Sequence, residues 1–187
     1  IGSVGKAQIM TDVRLQSSDG AIVDSAGEGE VQFRGPNITP GYMDNKEATL
    51  AAFTVDGWLK SGDIARRDED GYYYIVDRIK DMYISGGENV YPAEVEKVLD
   101  AHPAILEAVV IGVPDEKWGE VGAAFLVPRP GEEIDTPTLP GWCRDHLAPY
   151  KIPKTFTVSD DLPRTAAGKV RKNILKDSLL QKLPEEA

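Results

Sequence analysis

Soft ligands and nucleophilic thiols are nearly absent from this chain of 187 residues, which holds one cysteine and two histidines. The lone Cys143 excludes an intramolecular disulfide framework and any multi-cysteine zinc site. It fits a reducing compartment, so a cytoplasmic location is the expectation. Cys143 and His146 are spaced i, i+3 on a predicted helix, but nothing supplies the third group that would orient a nucleophile. His102, beside Pro103, reads as a helix-end residue. No apolar run approaches the ~20 residues that span a bilayer. The longest, Ala108 to Val113 and Val121 to Val127, have the length of strands. Positive charge is also short, with 21 Lys and Arg against 31 Asp and Glu and a net charge of −10. Such a chain repels a phosphate backbone, and no nucleic-acid partner is expected. The opening residues Ile1 to Lys6 carry neither an initiator Met nor the charged start and apolar stretch of a signal peptide. The chain is therefore expected to begin inside a larger protein.

What is present is a composition, 41% hydrophobic, that can bury a sizeable core in one domain or two small ones. The charge is uneven. Between Arg144 and Lys182 nine Lys and Arg face four acids, a net +5, so the rest of the chain carries −15. An anionic ligand would prefer that C-terminal stretch, although solvated helix and loop charges give the same count.

The first ~80 residues read as strands and turns. Gln8 to Leu15 alternates, Ser17-Ser18-Asp19-Gly20 turns, and Glu30 to Arg34 is a strand. Asn45 to Phe53 is a short helix, Gly57 to Asp63 a turn-rich connector, and Asp68 to Gly71 a hairpin turn before the strand Tyr72 to Val76. Later, Met82 to Ile84 and Asn89 to Tyr91 are short strands around Ser85-Gly86-Gly87-Glu88. Pro92 suits the first position of a helix whose apolar face is Val95, Val98 and Leu99. The apolar strands Ala108 to Val113 and Gly122 to Val127 follow, then a helix Thr138 to Leu147, a strand Phe156 to Val158 and a last helix Arg171 to Leu183. Without a regular βαβ alternation, the second half is α+β.

Four segments could carry chemistry, and each also has a plain structural reading. Asp63 after Gly62 offers acceptors for the two hydroxyls of a vicinal diol such as ribose, or it closes a turn. Asp77-Arg78-Ile79-Lys80-Asp81 lies where the all-β half gives way to the α+β half, as a hinge would, or it carries surface ion pairs. Ser85-Gly86-Gly87-Glu88 is a hairpin turn or a surface without side chains along which a thin ligand runs. In Pro163 to Arg171, Lys169 follows a glycine loop and precedes a basic helix, as a surface lysine or as a point charge for a phosphate. It is not a P-loop, because Val170 follows Lys169.

Together these segments resemble the adenylate-forming superfamily of acyl-CoA synthetases, carrier-loading adenylation domains and insect luciferases, over essentially the whole chain. Gly35 to Tyr42 resembles its R-G-P-x-x-x-x-G-Y segment, and Gly57 to Asp63 its G-W-x-x-[ST]-G-D. Asp77 to Asp81 with Gly86 to Glu96 is similar to its D-R-x-K-D…G-G-E-N-[IV]-x-P-x-E-[IV]-E signature, and Pro163 to Lys169 to its P-R-T-x-x-G-K.

The resemblance implies an α+β chain in two parts. Residues 1–79 would be the distal, barrel-like part of a large N-terminal domain, and 80–187 a mobile C-terminal domain. It implies that Asp63 holds the ribose of ATP, that Arg78 assists at ribose and phosphate, and that Lys80 is the hinge. Lys169 would be the adenylation lysine, Gly86 and Gly87 would line the pantetheine path of coenzyme A, and Trp118 and Tyr150 would contact coenzyme A. The implied reaction is ATP-dependent, AMP-forming ligation of a fatty or related carboxylic acid to coenzyme A. A carrier-protein acceptor or a non-catalytic module binding a phosphorylated ligand are the alternatives. The superfamily's phosphate loop, acyl pocket and magnesium ligand have no counterpart here. Activity is therefore expected to need the rest of the N-terminal domain, and the chain alone is expected to be inactive. Tyr83 stands where the superfamily more usually has Ile or Leu.

Overall fold

A computed structural model describes residues 2–180, with the side chain of Leu180 left aside. Residues 181–183 of the last predicted helix, and Lys182 of the basic stretch, lie outside the described residues. The chain divides between Lys80 and Asp81 into two compact units.

The first unit is a five-stranded antiparallel sheet with one short helix. Its elements are β1 (Asp12–Gln16), β2 (Ile22–Val23), β3 (Gly27–Arg34), α1 (Lys46–Ala52), β4 (Leu59–Arg67) and β5 (Tyr73–Arg78), in the order β2-β1-β3-β4-β5. Asn45 caps α1 by accepting the Ala48 amide at 2.9 Å. The Asp68–Gly71 turn forms as expected, its carboxylate accepting the Tyr72 amide at 2.8 Å. Two expectations need correction. The connector at Gly57 to Asp63 runs into a full strand, β4, whose pattern is blurred by Gly62 and by a register shift at Ile64/Ala65. The sheet is open and not a closed barrel among the described residues: its edges are the two-residue β2 and β5, and β5 gains only an isolated bridge from Gly5 to Tyr73. Leu15, Val31, Ala65 and Tyr73 form its small core.

The second unit is α+β. It comprises β6 (Tyr83–Ser85), β7 (Glu88–Val90), α2 (Pro92–Asp100), β8 (Ile105–Asp115), β9 (Gly119–Pro128), α3 (Leu139–Arg144), β10 (Thr155–Val158) and α4 (Lys172–Leu180). β9 is the hub: β8 pairs along one edge, and the other is shared by β10, parallel at Ala123 to Leu126, and β6 at Gly119. The apolar runs are continuous because both faces of β8 and β9 are buried. Ala108, Val110, Ala124 and Leu126 point to one core with Val95, Leu99, Leu139 and Cys143, from α2 and α3. Val109, Ile111, Ala123 and Phe125 point to the other, with Leu162 and Leu175 of α4.

The outer edge of β8 is met by α2. Glu96 accepts the Val110 amide and Asp100 the Ala108 amide, each at 2.8 Å. Burial pushes the Asp100 carboxyl above its ordinary range. α3 is shorter than the helix expected over Thr138 to Leu147, ending at Arg144. Its Trp142 donates to the Val98 carbonyl at 2.9 Å and stacks edge-on against His102. Tyr83 threads between the paired Gly112 and Gly122, where a Cβ would lie 2.3 Å from its Cβ and 2.5 Å from its hydroxyl. That hydroxyl is buried with no hydrogen-bond partner.

Candidate functional site

Asp63 and Arg78 are cross-strand neighbours on β4 and β5. Their ion pair, 2.9 Å from Arg78 Nε to Asp63 Oδ1, engages one carboxylate oxygen and leaves the other with acceptor capacity. Gly62, at φ +73°, makes the bend that delivers Asp63. Glu30 on β3 holds that bend by accepting the Gly62 amide at 3.1 Å. A hollow of about 360 Å³ opens beside it, lined by Glu30, Lys60, Gly62, Arg78 and Lys80. The first unit thus brings Lys60, Arg78 and Lys80 to one hollow, and Asp63 is tied to it through its pair with Arg78.

In the second unit Gly86 and Gly87 form the tight turn between β6 and β7, at φ +62° and +90°. Such a turn demands positive φ at both positions. Trp118 is the flank of this turn: Gly86 donates to its carbonyl at 2.9 Å, and a Cβ on Gly86 would stand 2.8 Å from its ring. Asp115 fixes the Trp118 turn by accepting the Lys117 and Trp118 amides and pairing with Lys154 at 2.6 Å. The Lys154 hydrogen bond, first among several, holds the Asp115 carboxyl below its ordinary range. Tyr150 sits in a single 3-10 turn, Pro149–Lys151, and Lys151 pairs with Glu94 at 2.7 Å.

Lys169 follows the turn of a small hairpin closed by an Arg164–Val170 bridge. Thr165 donates to the Lys169 carbonyl at 2.8 Å, and the Lys169 amide donates to Thr165 Oγ1 at 3.2 Å. Its ammonium has no side-chain partner among the described residues. Other cations of the basic stretch differ: Lys151, Lys154, Arg164 and Lys172 each pair with an acid from outside it, namely Glu94, Asp115, Glu107 and Glu96. The local excess of positive charge is therefore smaller than the sequence count implies, and it is concentrated on fewer side chains.

Cys143 is fully buried and its thiol is pushed up to about 11, far from thiolate chemistry. No three His, Cys, Asp or Glu side chains converge among the described residues. Sequence reasoning missed Glu30 and Glu107 and gave Glu96, the last position of the quoted signature, no role, because ion pairs and amide contacts between distant elements leave no local pattern.

Residues 94–169 match the family described as AMP-binding enzyme C-terminal domain. Feruloyl-CoA synthase from Amycolatopsis is 50% identical over 172 residues, which cover 92% of this chain and 35% of that protein. The o-succinylbenzoate CoA synthetase of Bacillus subtilis, solved with its acyl-adenylate intermediate, superposes with a TM-score of 0.85 at 43% identity, covering 94% of this chain and 36% of that one. ATP-bound MatB from Rhodopseudomonas palustris gives a TM-score of 0.87 at 38% identity, covering 95% and 35%. The relatives include acyl-CoA ligases of the adenylate-forming superfamily, and the chain spans about a third of their length. The matched stretch contains the Trp118, Tyr150 and Lys169 positions, while Asp63 and Arg78 precede it.

Proposed function

We propose that this chain is the C-terminal part of an ATP-dependent, AMP-forming acyl-CoA ligase acting on a fatty or related carboxylic acid. The observation that carries the reading is Lys169: an unpaired ammonium on a closed hairpin, between Arg164 and Lys172, which are each paired with an acid. In the first half-reaction a carboxylate oxygen bonds to the α-phosphorus of ATP and the bond to the pyrophosphate breaks. Negative charge grows on the phosphoryl oxygens, and the Lys169 ammonium supplies the opposing charge. The free acceptor of Asp63 takes the ribose hydroxyls, and Arg78 holds that carboxylate in place and adds positive charge toward the phosphate.

In the second half-reaction the coenzyme A thiol attacks the acyl carbonyl and AMP leaves. The chain turns at Lys80, withdrawing Lys169 and bringing the Gly86–Gly87 turn into its place. That turn has no side chains to obstruct a pantetheine arm, and Trp118 and Tyr150 offer aromatic faces to the rest of coenzyme A.

The test is AMP release by the complete protein given ATP, magnesium and a panel of aliphatic and aromatic acids, with and without coenzyme A. Sustained release that needs coenzyme A is the expected result. Acid-dependent pyrophosphate without any coenzyme A effect would instead indicate a carrier-protein acceptor. Lys169→Ala should lower adenylate formation by about 100- to 1,000-fold; an unchanged rate removes Lys169 from the reaction and favours a binding module.

A further inference from the structure

Two acidic residues without a role in the proposed reaction reach the Lys169 hairpin from different elements. Glu107 of β8 takes the Arg164 guanidinium. The same guanidinium donates from Nη1 to the carbonyl oxygen of Gly168 at 3.1 Å, next to Lys169. Glu96 of α2 accepts Lys172 Nζ at 2.9 Å, three positions beyond Lys169, while its Oε1 also holds the Val110 amide. Both pairs are sheltered, with side-chain exposures of 35% and 34% for Arg164–Glu107 and 28% and 20% for Lys172–Glu96. Partial burial lets an ion pair fix geometry that solvent would otherwise loosen. Between the two feet the hairpin is closed by its own bonds, including Arg171 N–H to the Pro163 carbonyl at 2.7 Å. Fixing the feet therefore fixes the arm that carries Lys169.

We infer that Glu107 and Glu96 are positioning residues, which clamp the two feet of the hairpin to β8 and α2 and so hold the Lys169 ammonium in one place. The inference rests on Lys169 acting in adenylate formation. A cation whose position wanders by about an ångström loses much of its advantage at a transition state.

Glu107→Gln and Glu96→Gln, singly and combined, remove the charge while keeping the side-chain volume, and the glutamine at 96 still offers an oxygen to Val110. Two readouts are needed. Amide hydrogen exchange on the 187-residue chain reports on Thr165, Gly168 and Arg171. In the complete protein, acid-dependent ATP–pyrophosphate exchange is measured separately from thioester formation out of supplied acyl-adenylate and coenzyme A. The combined variant is expected to exchange those amides at least tenfold faster. Its kcat for adenylation should fall at least tenfold, with the KM for ATP and the thioester step unchanged. Unchanged amide exchange overturns the clamp. Faster exchange with normal adenylation, alongside a defective Lys169→Ala, overturns the positioning role. An equal fall in both half-reactions together with a lowered Tm also overturns it, in favour of general stability. A normal rate in Lys169→Ala removes the underlying reading instead, and amide exchange then still decides whether the hairpin is clamped.

Discussion

The two units spend their apolar residues differently. In the second, both faces of β8 and β9 are covered, and Leu99, Ile105, Val110 and Leu126 are completely buried. In the first, one small cluster serves five strands, α1 buries no residue, and Ile9, Met10, Met43 and Leu50 stand exposed at 94%, 70%, 92% and 68%. A hollow of about 340 Å³ lies against that sheet, lined by Val13, Val31, Phe33, Tyr73 and Ile75. The second unit has the interior of an independent domain. The first has a well-made sheet whose one small cluster borders that hollow, which lends it little stability of its own.

Dissection should break the comparison most plainly. Residues 81–187 alone are expected to unfold cooperatively in urea, and residues 1–80 alone to show no cooperative transition, both followed by circular dichroism. Similar cooperative curves for both would refute the contrast. Next in size are two leucines: Leu99→Ala should cost the second unit about 2–5 kcal/mol, and Leu50→Ala the first less than about 0.5 kcal/mol, from urea midpoints. Smaller is the Tyr83 cradle. Gly122→Ala forces a methyl against the Tyr83 hydroxyl and should cost about 1–3 kcal/mol. Tyr83→Phe removes a buried hydroxyl that lacks a partner and should raise the urea midpoint.

The smallest effect is in pH. In the first unit the Arg14 guanidinium holds the Asp56 carboxyl below its ordinary value of 3.8. Its contribution is present above that value and disappears as pH falls through the lower, folded one. Asp100 in the second unit is raised by burial, so its sign is reversed: its charge opposes folding above the raised value, and that penalty vanishes as pH falls through it. Asp100→Asn should therefore stabilise at pH 7 and have little effect near pH 3. Asp56→Asn should destabilise slightly at pH 7, by less and less as the pH drops below about 4. Matching signs in pH-dependent melting would undo this contrast.

Legibility followed burial in the same way. The runs over β8 and β9 could be read because buried strands are continuously apolar, and α2 because Pro92 marks its first turn. β4 was hidden: Leu59 to Arg67 is half polar, with a glycine where a strand residue is expected, and it is ordered by the partners on either side of it. Gln8 to Leu15 alternates, yet only Asp12–Gln16 is strand, because Met10 turns at φ 70° and Gln8 accepts the Thr11 amide. In the candidate site, the glycine turn and the Lys169 loop were visible as local patterns. The Asp63–Arg78 pairing depends on the β4–β5 register, and the Arg164–Glu107 and Lys172–Glu96 pairs span 57 and 76 positions of the chain, beyond any local pattern.

The two carboxylates of α2 that accept alternate amides of β8 have a consequence outside the site. β8 is long, apolar and unpaired on that side among the described residues, the profile of a strand on which another chain could grow. Glu96 and Asp100 occupy the docking points such a chain would use, in acceptor positions no backbone could share. Two of the amides such a chain would need are thereby already taken by side chains of the helix that begins at Pro92.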